Sequence, residues 1–208
     1  MDIIYFISII FIILIITICI YLCIFDRRFS VISFNNCING IPSYRNANDC
    51  QNITVTLLNN LIYIDHDSII TEVHSFLSEH HQFFNIQSHN HELKWNPIWI
   101  KHFNNLTIYS EKLPTLTKII SLFPDISSFF ISIFYPGDSL IEHTSPSSSY
   151  YRYHYGLKIP CNDIGLKISG YDVKWQEKEG FIWDNTLSHS IWNHTSQPRI
   201  VICADITK

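Results

Sequence analysis

The segment HTSPSSSYYRYHYGLKIP, which runs from His143 to Pro160, places two histidines and an arginine among serines and tyrosines. Successive side chains of a β-strand point to opposite faces, so Arg152 and His154 share one face of a strand and the neighbouring tyrosines share the other. If the tyrosines pack outward or against helices, the Arg152 face is a barrel interior, where an unpaired guanidinium is costly. Its partner is then either a bound anion or an Asp or Glu in a salt bridge.

A second pair follows later in the chain. His189 lies in WDNTLSHSIWN, and Arg199 comes ten residues later, at the start of the apolar run RIVICADI. Late strands of a jelly roll often line one cavity, so we expect this pair to converge with Arg152 and His154. Imidazoles suit iron, and the planar forks of arginines suit the two carboxylates of a dicarboxylic acid. The pattern predicts a site for ferrous iron chelated by a 2-oxo-dicarboxylic acid.

The elements that position these residues are helices first and short strands afterwards. Apolar residues recur at three- and four-residue steps after Asp67 or Ser68, which predicts a helix, and a second helix is predicted to start at Pro114 and stop at Pro124. Strands are predicted for SSFFISIFY, YYRYHYGLKI, GLKIS, GFIW and RIVICADI. This order predicts an α+β, mainly β domain, a double-stranded β-helix of jelly-roll or cupin-like type with flanking N-terminal helices.

Residues 3–25, IIYFISIIFIILIITICIYLCIF, carry no charge and would span roughly 35 Å as a helix. A transmembrane anchor at residues 1–25 is favoured over a cleaved signal peptide, since a basic n-region and a small-x-small cleavage site are missing. Arg27 and Arg28 after the run favour a cytosolic catalytic part. We expect residues 26–64 to be a stalk or linker with one short strand at 53–58, and residues 65–208 to be the domain.

Charge and cysteines narrow the function classes. The formal net charge is −4, and the Lys and Arg residues form no basic stripe, which argues against a nucleic-acid partner. The cysteines lack C-x-x-C spacing, so a zinc knuckle or a thioredoxin-like pair is not predicted. Cys37 and Cys50 could pair in an oxidising lumen, whereas Cys203 in the last apolar run is expected to be a buried free thiol.

Four blocks occur in the order YPGDSLIEHTSP, YRYHYGLKIP, FIWDNTLSHSIWN and PRIVICADI. In this order they resemble the aspartyl/asparaginyl β-hydroxylase family of iron(II)- and 2-oxoglutarate-dependent dioxygenases. The resemblance begins at about Ile69, is firmer from Pro114, and extends to Ile206. It implies Fe(II) and 2-oxoglutarate as cofactors, with succinate and CO2 as co-products. It also implies a peptide or protein substrate, hydroxylated at the β-carbon of Asp or Asn, and a location in the ER lumen, in conflict with the flanking charge.

The resemblance also implies roles for six residues, position by position. It implies that iron is bound by His143 and His189, the 2-oxoglutarate carboxylate nearest the metal by Arg152 and His154, and the distal carboxylate by Arg199 and Ser132. The strand-face argument reaches Arg152 and His154 without the family. Ser132 comes from the resemblance alone.

Three departures from the family pattern stand out. Ser145, two residues after the first iron histidine, occupies the position where many 2-oxoglutarate enzymes carry a metal-binding carboxylate. An acidic pair is replaced by Asp184-Asn185, which we expect to affect rate more than cofactor binding. The W-x-x-G turn is WQEKEG, from Trp175 to Gly180, and we expect it to alter a hairpin and not the site.

Two other functions fit the same residues. Short anchored bacterial relatives that share the R-Y-H element act on lipid A, so hydroxylation of a lipid acyl chain is the alternative within enzymes. From another class, the domain could be a β-helix that binds a partner without catalysis. The survival of both expected iron ligands and all expected cofactor residues favours catalysis, and nothing in the sequence indicates an oligomeric state.

Overall fold

The computed structural model describes residues 53–80, 96–146 and 149–207. The expected anchor at residues 3–25 and the expected stalk up to residue 52, with Cys37 and Cys50, lie outside these ranges. Within them, none of the helices is both long enough and apolar enough to cross a membrane. Cys203 is buried and free, as predicted.

Helices occupy the first part of the described chain. They are α1 (Ile53–Ile64), α2 (His66–Glu79) and α3 (Pro114–Ser121), with a 3-10 helix at Ile108–Lys112 before α3. The predictions of α2 and α3 are confirmed, although α2 begins one or two residues before the expected caps and α3 ends before Pro124. Proline opens α3 because its missing N–H costs nothing in the first turn of a helix.

Helix α1 replaces the short strand that we expected at 53–58, a prediction that was wrong. Val55, Leu58 and Ile62 recur at three- and four-residue steps, and all three are buried in the main core of the domain. The window ITVTLL is rich in β-branched residues and favours a strand, but the helical period holds over all twelve residues of α1. Residues 53–64 therefore pack as part of the domain rather than as a linker.

The described residues contain ten strands, the first two of which precede α3 in the chain. They are β1 (Asn96–His102), β2 (Asn105–Leu106), β3 (Ile126–Phe134), β4 (Ser139–His143), β5 (Tyr150–Lys158), β6 (Ile164–Ile168), β7 (Tyr171–Val173), β8 (Gly180–Trp183), β9 (His189–Asn193) and β10 (Arg199–Thr207). The five predicted strands correspond to β3, β5, β6, β8 and β10. The other five strands, β1, β2, β4, β7 and β9, were not predicted. In β4 and β9, the segments SLIEH and HSIWN contain only two adjacent apolar residues each, which is a weak strand signal.

The strands form two antiparallel sheets, one ordered β2-β1-β3-β10-β5-β8 and the other β4-β9-β6-β7. From β3 to β10 the chain passes back and forth between these sheets, which is the winding of a double-stranded β-helix or jelly roll. The fold predicted for the domain is confirmed at this level: a jelly-roll β fold with N-terminal helices.

Both faces of the six-stranded sheet are buried. One face packs against the helices in a cluster that includes Tyr153 and Tyr155, and the other faces the second sheet in a cluster that includes Phe130 and Cys203. Alternation along β5 then places His154 on the inner face, where it is 3% exposed. The tyrosines thus pack against the helices, which was the condition for an interior Arg152 and His154.

Strand β10 is the central element of the site. It lies between β3 and β5, and its register sets Val201 opposite Ser132, Cys203 opposite His154, and Asp205 opposite Arg152. Side chains at these paired positions stand within contact distance of one another. Three sequence-distant segments are therefore brought to one inner face.

Candidate active site

A cavity of about 290 Å³ opens between the two sheets. Five of the six residues expected to bind iron or cofactor line this cavity: Ser132, His143, Arg152, His154 and His189. Arg199, the sixth, lies directly behind the wall, where its Nη2 donates to the Ser132 Oγ at 2.8 Å. The structure thus brings all six residues to one place.

His143 ends β4 and His189 begins β9, and the two residues are direct partners in the antiparallel ladder. Their ring centroids are 4.1 Å apart. A register shift in the ladder between Leu140 and His143 accommodates this approach, since a bulge re-aims side chains at the edge of a site.

Both histidines are held by the same kind of hydrogen bond, from the ring to the backbone carbonyl two residues earlier. The Nδ1 of His143 bonds to the carbonyl of Ile141 at 2.8 Å, and the Nδ1 of His189 bonds to the carbonyl of Leu187 at 2.7 Å. A carbonyl only accepts, so Nδ1 carries the proton in each ring and Nε2 keeps its lone pair in the neutral form. Burial lowers the pKa of His189 to about 4, so that this ring is neutral at physiological pH. Two imidazoles whose Nε2 atoms are left free of the proton by these hydrogen bonds are suited to binding a metal ion.

Arg199 is a fully buried cation without a carboxylate partner in the described part of the chain. Its side chain is 0% exposed, and its Nε and Nη1 find no hydrogen-bond acceptor among the described residues. The guanidinium lies over the rings of Phe134 and Trp175, 4.5 Å from each centroid. Burial lowers the pKa of Arg199 to about 10, so the group remains charged at neutral pH. A buried charge with two unused donors fits an anion supplied from outside the chain.

His154 is a neutral donor within this pocket. Its Nδ1 accepts the indole N–H of Trp175 at 3.3 Å, which leaves the ring proton on Nε2. Burial, followed by the charges of Arg152 and Arg199, lowers the pKa of His154 well below its usual range. The displaced glycine of WQEKEG was expected to alter a hairpin and not the site. In the structure, the Trp175 ring at the start of this segment packs on Arg199, and its N–H donates to His154.

Arg152 has the salt bridge that the sequence left open. Its Nε donates to Asp205 Oδ1 at 2.5 Å, and both side chains are largely buried, with exposed fractions of 16% and 14%. The sequence analysis did not identify Asp205, although it shares the alternating face of Arg199 and Cys203 in RIVICADI. That period-two pattern was the available signal.

The cavity lining contains two further polar side chains, Trp183 and Asn185, of which the sequence analysis had named Asn185 only as a departure from the family pattern. Trp183 Nε1 and Asn185 Oδ1 are buried and find no partner among the described residues. Both residues line the cavity, and the Trp183 ring packs edge-on to His189 at 4.7 Å. Ser145 lines the same region, and its backbone N–H donates to the Asn185 carbonyl at 3.0 Å.

The donor set fits the cofactors that the resemblance implies. The histidine pair offers two Nε2 lone pairs, and the pocket behind it offers a charged guanidinium with orphaned N–H groups. Across residues 53–80, 96–146 and 149–207, no three or more His, Cys, Asp or Glu side chains form a metal-binding group.

Comparisons with known proteins agree with this geometry. The family model described as aspartyl/asparaginyl beta-hydroxylase matches residues 65–208. An ornithine lipid ester-linked acyl 2-hydroxylase from Rhizobium tropici is 32% identical over 97 residues, which are 46% of this chain and 34% of that protein. The human aspartyl/asparaginyl beta-hydroxylase is 29% identical over 75 residues, which are 36% of this chain and 10% of the human protein. The matches therefore span from a third to a tenth of these relatives' lengths.

The solved structures that match this chain are only distantly similar to it. A 2OG-Fe(II) oxygenase family oxidoreductase from Burkholderia pseudomallei is 10% identical, with a TM-score of 0.44 over 54% of this chain and 67% of that one. The cupin domain of an XRE family transcriptional regulator from Enterobacter cloacae is 15% identical, with a TM-score of 0.38 over 55% and 97% of the two chains. The family match covers most of the chain, including every residue of the candidate site. The chain belongs to the aspartyl/asparaginyl β-hydroxylase family of iron(II)- and 2-oxoglutarate-dependent hydroxylases.

Proposed function

We propose that the protein is an Fe(II)- and 2-oxoglutarate-dependent dioxygenase that hydroxylates a C–H bond. The observation that carries this proposal is Arg199, a fully buried guanidinium with two orphaned donors, together with a pair of tautomer-locked histidines that line the adjoining cavity. In a protein that bound no anion, this arrangement would leave a desolvated charge at a cost of several kcal/mol.

Six residues of the chain would hold the cofactors. His143 and His189 would bind iron through Nε2. Arg199 and Ser132 would hold the distal carboxylate of 2-oxoglutarate, and Arg152 and His154 the carboxylate nearest the metal. When bound, iron and 2-oxoglutarate together supply the oxidising power that inserts one oxygen atom of O2 into a C–H bond.

The charges of the pocket support a dianionic cofactor. Arg152 is already neutralised by Asp205, and His154 and His189 are neutral, so Arg199 is the cation that is not balanced by a carboxylate of the described residues. Bound iron would add two further charges. A dicarboxylate reduces this excess, and the Nε2 proton of His154 gives it a neutral donor that needs no counter-ion.

The surrounding side chains would hold the reactants and exclude water. Phe130, Phe134 and Trp183 are at most 4% exposed and form apolar walls around the polar groups. Low local polarity strengthens each charge-assisted hydrogen bond in the site and limits access of water to reactive species.

For the substrate we propose the β-carbon of Asp or Asn in a peptide or protein. The orphaned atoms of Trp183 and Asn185 support this class, because one is a donor and the other an acceptor, and both residues line the cavity. A peptide amide supplies both complementary groups, whereas an acyl chain supplies neither and would leave both atoms desolvated.

A lipid acyl chain is the second candidate, and two observations favour it. Phe103 lines the cavity and is 65% exposed, so an apolar side chain borders the opening. The relative from Rhizobium tropici is by its name an acyl 2-hydroxylase. A transmembrane segment at residues 3–25 would also keep the domain at a lipid surface. The flanking charge favours the cytosolic side of the membrane and the family resemblance favours the ER lumen, so the side is left open.

The two substrate classes can be separated by succinate release. The purified full chain is supplied with peptides that contain Asp or Asn, or with phospholipid vesicles, and succinate is measured above the substrate-free rate. We expect stimulation by a peptide, and a loss of about tenfold in that stimulation for Asn185→Leu, which removes one amide contact. Gln197→Leu, which removes an exposed amide, serves as the matched control. Stimulation by vesicles alone would assign the lipid class.

Anaerobic titration of the full chain with Fe(II) and 2-oxoglutarate tests catalysis against partner binding without chemistry. Chelation of 2-oxoglutarate to bound iron gives a visible charge-transfer band, which we expect for the parent and for Ser145→Ala. His143→Ala and His189→Ala should lose iron and the band. A parent protein without the band would refute the dioxygenase, and loss of iron in Ser145→Ala would show a third ligand at that position.

A further inference from the structure

We propose that Trp175 is a positioning residue for 2-oxoglutarate, acting at the same time on His154 and on Arg199. The inference rests on the proposed function, because both contacts belong to the same anion pocket. It assigns a role to the first residue of the segment from Trp175 to Gly180, in which the glycine is displaced from its place in the family's turn.

The first contact fixes a proton. An indole N–H is a donor and never an acceptor, so the 3.3 Å contact from Trp175 Nε1 requires an unprotonated Nδ1 on His154. In a neutral, buried ring the proton then resides on Nε2. His154 lines the cavity, and in this tautomer it offers a donor to a carboxylate. In the other tautomer, Nε2 would present a lone pair and repel the carboxylate.

The second contact fixes a plane. The guanidinium carbon of Arg199 lies 4.5 Å from the ring centroids of both Trp175 and Phe134. The ring faces attract the guanidinium cation. The N–H groups of Arg199 lie in the plane of the guanidinium and therefore point past the ring faces rather than into them. One donor, Nη2, reaches Ser132, while Nε and Nη1 stay available for an anion. The stacking thus sets the plane in which a carboxylate is held.

The backbone places Trp175 where it can make both contacts. The segment after Trp175 runs along β5 at Gly156: the Gly156 N–H donates to the Glu179 carbonyl at 2.9 Å, and the Lys178 N–H donates to the Gly156 carbonyl at 2.8 Å. A Cβ on Gly156 would lie 2.2 Å from the carbonyl oxygen of Gln176, so the close approach requires glycine. Gly156 is two residues from His154, and the segment is therefore anchored beside the ring that Trp175 contacts.

Two substitutions separate positioning from simple core filling. Trp175→Phe keeps a ring over Arg199 but removes the donor to His154, and Trp175→Leu removes both contacts. Trp192→Phe is the matched control, because its indole Nε1 donates to Asp163 Oδ1 at 2.7 Å outside the cavity lining. All proteins are the full chain in detergent, loaded with Mn(II), and 2-oxoglutarate is titrated by calorimetry. The thermal unfolding midpoint is measured in parallel.

We expect the dissociation constant of 2-oxoglutarate to rise about fivefold in Trp175→Phe, as for one lost hydrogen bond, and about fiftyfold in Trp175→Leu, where the ring over Arg199 is also lost. The affinity for Mn(II) should equal the parent value in all variants. Trp192→Phe should also bind 2-oxoglutarate as tightly as the parent. In 15N spectra of histidine-labelled protein, the His154 ring should show the Nε2–H tautomer in the parent and a mixture of tautomers in Trp175→Phe. The phenylalanine variant carries the test if Trp175→Leu does not fold.

Unchanged affinity and an unchanged His154 tautomer in Trp175→Phe would overturn the positioning role, even if the unfolding midpoint fell. That pattern would make Trp175 a core residue and leave the dioxygenase intact. A parent protein that binds Mn(II) but not 2-oxoglutarate would instead refute the proposed function, and the cofactor-positioning role of Trp175 with it. The two failures are thus distinguishable in one set of titrations.

Discussion

Arg152 lines the cavity and Arg199 lies behind its wall on the neighbouring strand, and the surroundings of the two side chains differ. Arg152 pairs with Asp205 across the β5–β10 ladder, and its side chain remains 16% exposed. Arg199 is 0% exposed, and it contacts two aromatic rings and the Ser132 hydroxyl. One guanidinium is therefore satisfied within the chain, whereas the other has donors that the described residues leave unused.

This difference indicates which arginine depends on a ligand. A paired arginine is stable without a ligand, and an added anion must compete with Asp205 for it. An orphaned arginine in an apolar pocket raises the free energy of the empty protein, so an anion that binds there gains affinity from relieving that cost. We infer that the Arg199 end of the cavity supplies most of the binding energy for 2-oxoglutarate, and that Arg152 mainly orients it.

The largest expected effect is that of Arg199→Ala. Removing the guanidinium leaves the distal carboxylate desolvated at a cost of roughly 3 to 5 kcal/mol, so the apparent Michaelis constant for 2-oxoglutarate should rise by about two to four decades. Succinate formation is measured against 2-oxoglutarate concentration, with iron content determined in parallel and expected to stay at the parent level. Arg199→Lys should recover only part of the loss, because an ammonium keeps the charge but not the two-pronged geometry. Saturation of Arg199→Ala at the parent concentration would show that Arg199 is structural.

Much of the domain could be predicted from local pattern. The runs that became β3, β5 and β10 are rich in β-branched or aromatic residues, and the alternation in YRYHY indicated which face Arg152 and His154 share. The family resemblance supplied Ser132, for which strand alternation gave no reason. These predictions depend on residues that are near one another in sequence or on a motif already known.

The remaining features depend on register, which local pattern does not encode. Asp205 meets Arg152 because β10 pairs with β5 in one alignment, and a shift by one residue would place Asp205 on the opposite face. Trp175 reaches Arg199 because a close approach at Gly156 lays its segment along β5. Helix α1 was mistaken for a strand because its first six residues are locally β-like, and packing against the sheet decides their state.

A smaller effect is expected when Asp205 is changed to Asn. Arg152 keeps its charge but loses its partner, and because the pair is partly solvated we expect the free energy of unfolding to fall by about 2 kcal/mol. The Michaelis constant for 2-oxoglutarate should change less than about tenfold, since Arg199 is untouched. Urea unfolding and succinate assays on Asp205→Asn, Arg152→Gln and the double variant give the coupling energy of the pair. If Asp205→Asn raised the Michaelis constant for 2-oxoglutarate as much as Arg199→Ala does, the distinction between the two arginines would be removed.

The smallest expected effect is that of Ser132→Ala, which tests the Arg199 end without touching its charge. The Ser132 hydroxyl accepts from Arg199 Nη2 and, in the proposed complex, donates to the distal carboxylate. Loss of one such hydrogen bond costs about 1 kcal/mol, so the Michaelis constant for 2-oxoglutarate should rise about fivefold, with turnover at saturation unchanged. Ser128→Ala is the matched control, because Ser128 lies on the same strand and lines the same cavity but accepts from the Phe103 N–H at 3.4 Å. If the Michaelis constant for 2-oxoglutarate rose equally in Ser132→Ala and Ser128→Ala, loss of either hydroxyl would disturb the cavity in a general way. The Ser132 hydroxyl would then make no selective contact with the cofactor.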